Sequence, residues 1–97
     1  MYDHQTVLRV SADTLMRYEP HLDGGLVFLF HADRGTISTG NADVQRFLSH
    51  VDGYRTLGDI CDQLLAEDPQ LPPQLIAEGV ARTAEQLLAG GFLEAVS

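Results

Sequence analysis

The chain has 97 residues and a mass of 10.6 kDa, enough for one domain with a single modest core and an expected radius of gyration of about 13 Å. Hydrophobic residues make up 44% and charged residues 21%, and no apolar run approaches the roughly 20 residues that span a bilayer, so a soluble, cytoplasmic protein with no membrane partner is expected. Fourteen Asp and Glu against six Arg and no Lys give a net charge of -8, which withholds the clustered cations that nucleic-acid binders use; the single Cys61 excludes an internal disulfide and the usual structural zinc sets.

The first part of the chain reads as extended. Gln5 to Val10 is short and mixed, and Leu15 to Glu19 is a strand candidate. His21 to Gly25 turns the chain into Leu26 to His31, a dense apolar and aromatic run that is the clearest strand. Ala32-Asp33-Arg34-Gly35 supplies turn formers and a glycine able to take a positive φ, and the β-branched Thr36 to Thr39 completes a three-stranded antiparallel meander.

After Gly40 the hydrophobic period changes from about 2 to 3.6. Asn41 is placed to cap a first helix whose stripe is Val44, Phe47, Leu48 and Val51, with Asp52-Gly53 as its stop. Thr56 and Asp59 form a capping-box pattern ahead of Leu57, Ile60, Cys61, Leu64 and Leu65, a second helix that ends at Asp68-Pro69. Pro72-Pro73 starts a third, striped by Ile76, Val80, Ala84 and Leu87 and released at Gly90-Gly91, after which Phe92-Leu93 folds back on the core. The expected fold is α+β and winged helix-turn-helix-like: a three-stranded meander followed by three helices. Its core is expected to include Leu26, Phe28, Phe30, Val44, Phe47, Leu48, Ile60, Leu64, Val80 and Leu87. Because neighbouring residues of Leu26 to Phe30 point to opposite sides, either both faces of that strand are covered or part of its apolar surface is free for a partner.

Catalytic signals are lacking. Cys61 lies on an apolar helical stripe and reads as a small core residue, while His4, His21, His31 and His50 are scattered without ligand spacing and read as surface or strand-end residues. Asp59 and Asp62 read as solvated acids. The sequence holds no phosphate loop, nucleophile elbow or carboxylate pair, so no catalytic residue, cofactor or metal is assigned and the protein is expected not to be an enzyme. From Thr56 to Ala89 six acids stand against one cation, Arg82, a field that opposes approach to phosphates and argues against a nucleic-acid partner.

Glu19, Gly24-Gly25-Leu26-Val27-Phe28, Gly35-Thr36-Ile37, Asn41 followed by Phe47-Leu48, Asp52-Gly53-Tyr54-Arg55-Thr56, Ile60 to Leu64, and Leu87-Leu88 before Gly91-Phe92-Leu93 recur in an order that resembles the PqqD-like proteins. These are the stand-alone form of the precursor-peptide recognition element used in making ribosomally synthesised, post-translationally modified peptides (RiPPs). The resemblance runs from about Leu15 to Glu94, leaving residues 1–14 as an N-terminal extension to a domain over residues 15–97. The chain departs from the pattern at Gly40, where the family usually carries a larger apolar residue.

The resemblance implies a non-catalytic peptide chaperone that binds a precursor's leader segment as an added strand. Such a chaperone presents the precursor to a RiPP-modifying enzyme such as a radical SAM enzyme, a cyclase or a leader peptidase. By that implication the leader lies on the edge Thr36, Ile37, Ser38 and Thr39, and the third helix forms the other wall through Leu75, Gly79, Arg82, Thr83 and Gln86. Gly79 has two readings, a socket for a bulky leader side chain or simple tolerance and close packing against the sheet. Arg82 also has two, a partner for an acidic leader residue or for Glu78 and Glu85 on its own helix. In the extension, Val7, Leu8 and Val10 are placed to cover the opposite sheet edge or to engage an enzyme. Two other functions stay open: a winged-helix DNA-binding regulator, which the charge count opposes, and a small regulatory subunit that docks on an enzyme.

Overall fold

A computed structural model describes residues 4–96; Met1, Tyr2 and Asp3 of the expected extension and Ser97 lie outside the described residues. Strand β1 (Leu8–Val10) is followed by β2 (Thr14–Glu19), β3 (Leu26–His31) and β4 (Thr36–Gly40), then helices α1 (Ala42–Ser49), α2 (Leu57–Glu67) and α3 (Pro73–Ala89), and a last strand β5 (Leu93–Ala95). The meander is antiparallel with order β2-β3-β4, and with the three helices it makes the expected α+β fold. No helix among the described residues is long and apolar enough to cross a membrane.

Local chemistry sets the boundaries. Gly35, with φ +69°, closes the β3–β4 turn as its position suggested. Asn41 Oδ1 accepts the Val44 N–H to start α1, and Thr56 and Asp59 exchange side-chain and backbone hydrogen bonds in a complete capping box at the start of α2. α3 ends in a Schellman arrangement: Gly91, at φ +83°, donates its N–H to Leu88 O while Phe92 N–H reaches Leu87 O. That turn drops Phe92 and Leu93 into the core, where both are buried. α1 stops at Ser49, a turn short of Asp52-Gly53, so Val51 packs against the core from a loop.

Two expectations need correcting. The first concerns the faces of β3. Val27 and Leu29, at 0% exposure, point to the helices, whereas Leu26 and Phe28 are half-buried and Phe30 is 38% exposed. The alternation was correct but the buried set is the other one, because α1 packs on the side reached by Val27 and Leu29. On the outer face Leu15, Phe30 and Ile37 lie in direct cross-strand register and form an exposed apolar row. Phe47, Leu48, Ile60, Val80 and Leu87 are buried as expected, and Val44 and Leu64 are partly buried at the core's margin.

The second concerns the N-terminal segment. β1 does not cover an edge of the meander; it pairs antiparallel with β5, Arg9 opposite Glu94, and places Leu8 in the centre of the core. On its other side Gly53 N–H donates to Leu8 O, and the residues before it continue the contact: Val7 bridges Thr56, and Leu57 and Gly58 at the start of α2 donate to Thr6 O and His4 O. Residues 4–10 are therefore stitched between the C-terminal strand and the α1–α2 turn.

Candidate functional site

The meander has two outer strands, and the sequence treats them differently. β2 carries Arg17 and Glu19, which pair with each other in solvent, and such charges blunt an edge against further strand addition. β4 is Thr-Ile-Ser-Thr-Gly, without a charge, and one side of its backbone has no strand beside it. Ile37 is 70% exposed and Ser38 half-buried, while Thr36 and Thr39 are exposed.

At the end of β4 the chain turns into α1 within a single residue, Asn41, and this places the first turn of α1 at the same corner. Gly40 is what permits the turn. A Cβ there would lie 2.6 Å from Val44 Cγ1, so the larger side chain expected from the family pattern has no room beneath this helix.

A groove of about 390 Å³ opens at that corner between α1 and α3. One wall is Leu75, Gly79, Arg82 and Thr83 of α3, four of the five helix positions expected from the sequence. Gln86, a turn further on, is outside the lining, as are Thr36 to Thr39, whose strand ends where Asn41 begins the groove. The opposite wall is Asp43, Val44, Arg46 and Phe47 of α1, and Leu64 of α2 and Leu71 close the remaining side. Ile76 and Val80 form an apolar floor.

The α1 wall was missed by sequence reasoning. Its signal was the one-residue join between β4 and α1, which obliges the exposed flank of α1 to border whatever lies at the end of the strand.

Geometry removes one alternative from each of the two open readings of α3, close packing at Gly79 and pairing of Arg82 with an acid of its own helix. A Cβ at Gly79 would meet nothing within 4 Å, so the glycine is not required by packing against the sheet and leaves a recess in the wall. Arg82 forms no ion pair with Glu78, Glu85 or any other acid among the described residues; Glu78 instead accepts from Gln74 Nε2 at 3.1 Å.

Across the groove, Arg46 Nε stands 4.0 Å from Glu67 Oε1, a loose contact, because the other Glu67 oxygen is held by His50 Nε2 at 2.7 Å. His50 is mostly covered rather than a surface residue. Its Nδ1 faces the Arg55 guanidinium at 3.1 Å, and since guanidinium can only donate, the ring proton sits on Nε2 toward Glu67. His31 is likewise buried, with Nδ1 accepting the Arg34 N–H and its ring edge-on to Phe92 at 6.4 Å.

Asp52 and Cys61 are governed by their immediate surroundings. Asp52 Oδ1 accepts the N–H groups of Arg55 and Tyr54, at 2.8 and 2.9 Å, and these bonds hold its carboxyl below the usual carboxylate range. Cys61 is half-buried, and burial, assisted by Asp62, pushes its thiol up and away from nucleophilic character.

No family model matches the chain, and no curated protein matches it. Among solved structures, TbiB1 in complex with the TbiA(β) leader peptide superposes with a TM-score of 0.74 at 20% identity, covering 92% of this chain and 98% of that one. The likeness is one of fold.

Proposed function

We propose that this protein is a PqqD-like peptide-binding adaptor: it takes the leader segment of a ribosomally made precursor as an extra strand on β4 and presents the precursor to a separate modifying enzyme. One observation carries the reading. The charge-free outer edge of β4 runs into a groove whose walls, α1 and α3, are apolar at the base and cationic at the rim. Main-chain bonds along Thr36 to Thr39 supply affinity without regard to sequence, and side chains entering the groove supply selection.

Three further observations support it. TbiB1, which shares the fold, binds a leader peptide. The groove of 390 Å³ suits a few side chains of an extended segment. The titratable groups whose properties are displaced, Asp52 and Cys61, serve a turn and a packed helix face rather than a reaction centre, which supports a binding role with catalysis left to the partner. The enzyme partner is of the radical SAM, cyclase or leader-peptidase kind.

The test is titration of the full chain with synthetic leader segments from short reading frames that neighbour its gene, followed by fluorescence polarisation, with isotope-edited spectra to locate the strand. Saturable binding that protects β4 amides from exchange is expected. Binding to duplex DNA in a salt-sensitive manner, with no response to any leader, would overturn the reading.

A further inference from the structure

The groove changes character along α3. Leu75, Gly79 and Arg82 follow one another on one flank, so Gly79 lies about 6 Å and Arg82 about 10 Å along the axis from Leu75. At Gly79 the wall carries no side chain and a Cβ would meet nothing within 4 Å, and buried Val80 and Phe47 line the same groove. At Arg82 it carries an exposed guanidinium with no acid paired to it among the described residues, and Arg46 borders the same groove from α1 with its weak hold on Glu67. In a chain of net charge -8 that has only six arginines, two of them stand on one groove against one lining acid, Asp43. Such an arrangement is complementary to a ligand that is apolar at one point and anionic at the next.

Resting on the peptide-binding reading above, we propose that the groove selects an extended segment bearing a bulky apolar side chain and a carboxylate two residues apart. The apolar group occupies the recess at Gly79, and the carboxylate lies between Arg82 and Arg46. The spacing follows from strand geometry. Side chains on one face of an extended chain recur every second residue, about 6.6 Å. Gly79 and Arg82 are separated by about 4.5 Å along the helix, and the reach of the guanidinium covers the difference. A separation of one residue sends the carboxylate to the far face of the segment, and a separation of four, about 13 Å, overshoots the cation. Arg82 and Gly79 are thus specificity determinants, distinct from the β4 backbone that supplies sequence-independent affinity.

The experiment is panning of a phage-displayed random 12-residue library on the immobilised full chain at low salt, repeated on Gly79→Leu, Arg82→Glu and, as a control outside the groove, Arg17→Glu. Parent and control should enrich a large apolar residue with Asp or Glu two positions away. Arg82→Glu should replace the acid by Lys or Arg, and Gly79→Leu should lose the apolar preference. For a synthetic peptide of the enriched pattern, Arg82→Glu should weaken binding about tenfold at low salt and less at high salt, and Lys in place of the peptide's acid should restore it. Circular dichroism melts check that each variant is folded.

Enriched peptides that lack an acid, that place it at an odd spacing, or that are unchanged on Arg82→Glu would overturn this inference and leave the adaptor reading standing. A library that enriches nothing, on a chain that also ignores every leader tested, would remove the adaptor reading and this inference with it.

Discussion

β1 and β4 are both short strands at the side of a sheet, yet the molecule treats their backbones in opposite ways. β1 pairs on one side with β5 through the Leu8–Ala95 to Val10–Leu93 register and on the other takes a bond from Gly53 at Leu8 O, while residues 4–7 that lead into it are held by Thr56, Leu57 and Gly58. β4 is closed on one side by β3 and has no strand on the other. The closed strand contributes Leu8 to the core, whereas the open one contributes no buried side chain at all. On the proposed function, stability and recognition fall to different strands, and variants in one should leave the property of the other nearly untouched.

The largest expected effect is on the closed side. Leu8→Ala removes a fully buried side chain where three segments meet and should cost about 3 kcal/mol, lowering the melting temperature by roughly 15 °C. Leader affinity measured well below the melt should be unchanged. A variant that melts like the parent would show that β1 is an appendage.

Proline on β4 is the next largest. Successive N–H groups of a strand point to opposite edges, so of Ile37→Pro and Ser38→Pro one deletes a donor of the open edge and the other a bond of the β3–β4 ladder. The first should reduce peptide affinity at least about tenfold with a modest change in melting; the second should chiefly lower the melting temperature. Equal effects of both on affinity would place the peptide elsewhere.

Gly79→Leu separates fold from function in the reverse sense to Leu8→Ala. The recess is open, and Leu is the better helix former, so stability should rise by up to about 1 kcal/mol while peptide binding falls. Calorimetric melts and polarisation titrations on the same sample decide it.

The smallest effect concerns the turn that closes β1. Asp52 is held below its usual value in the fold by the Arg55 and Tyr54 N–H groups, so its contribution is present above the unfolded-state pKa and is lost as pH falls through the lower folded-state value. Asp52→Asn should therefore melt lower than the parent at neutral pH, and the gap should close as the solution is made strongly acidic. A gap independent of pH would assign the role to the side chain's shape rather than its charge. Tyr54 contributes to that effect through its backbone N–H, while the residue itself is 87% exposed on this turn.

Much of the fold was legible in the sequence because its signals are local. Asn41, the Thr56/Asp59 box, Pro72-Pro73 and Gly90-Gly91 act within four residues of where they stand, and the turn formers around Gly35 do the same, so the meander and the three helices followed from neighbours alone. Helical spacing also put Leu75, Gly79, Arg82, Thr83 and Gln86 on one flank of α3, but that α3 forms a wall came from the family resemblance, and Gln86 lies outside the groove. What the tertiary structure decided was every question of which surface meets which. The pattern of β3 is apolar on both faces, so periodicity alone could not choose Val27 and Leu29 over Leu26, Phe28 and Phe30; the helices chose by packing on one side. β1 pairs with a strand some eighty-five positions away, as in Arg9 with Glu94, and a three-residue strand carries no mark of so distant a partner. The α1 wall and Arg46 entered the groove because Gly40 lets Val44 lie against the end of β4, a contact between side-chain volume and backbone that composition and spacing do not encode.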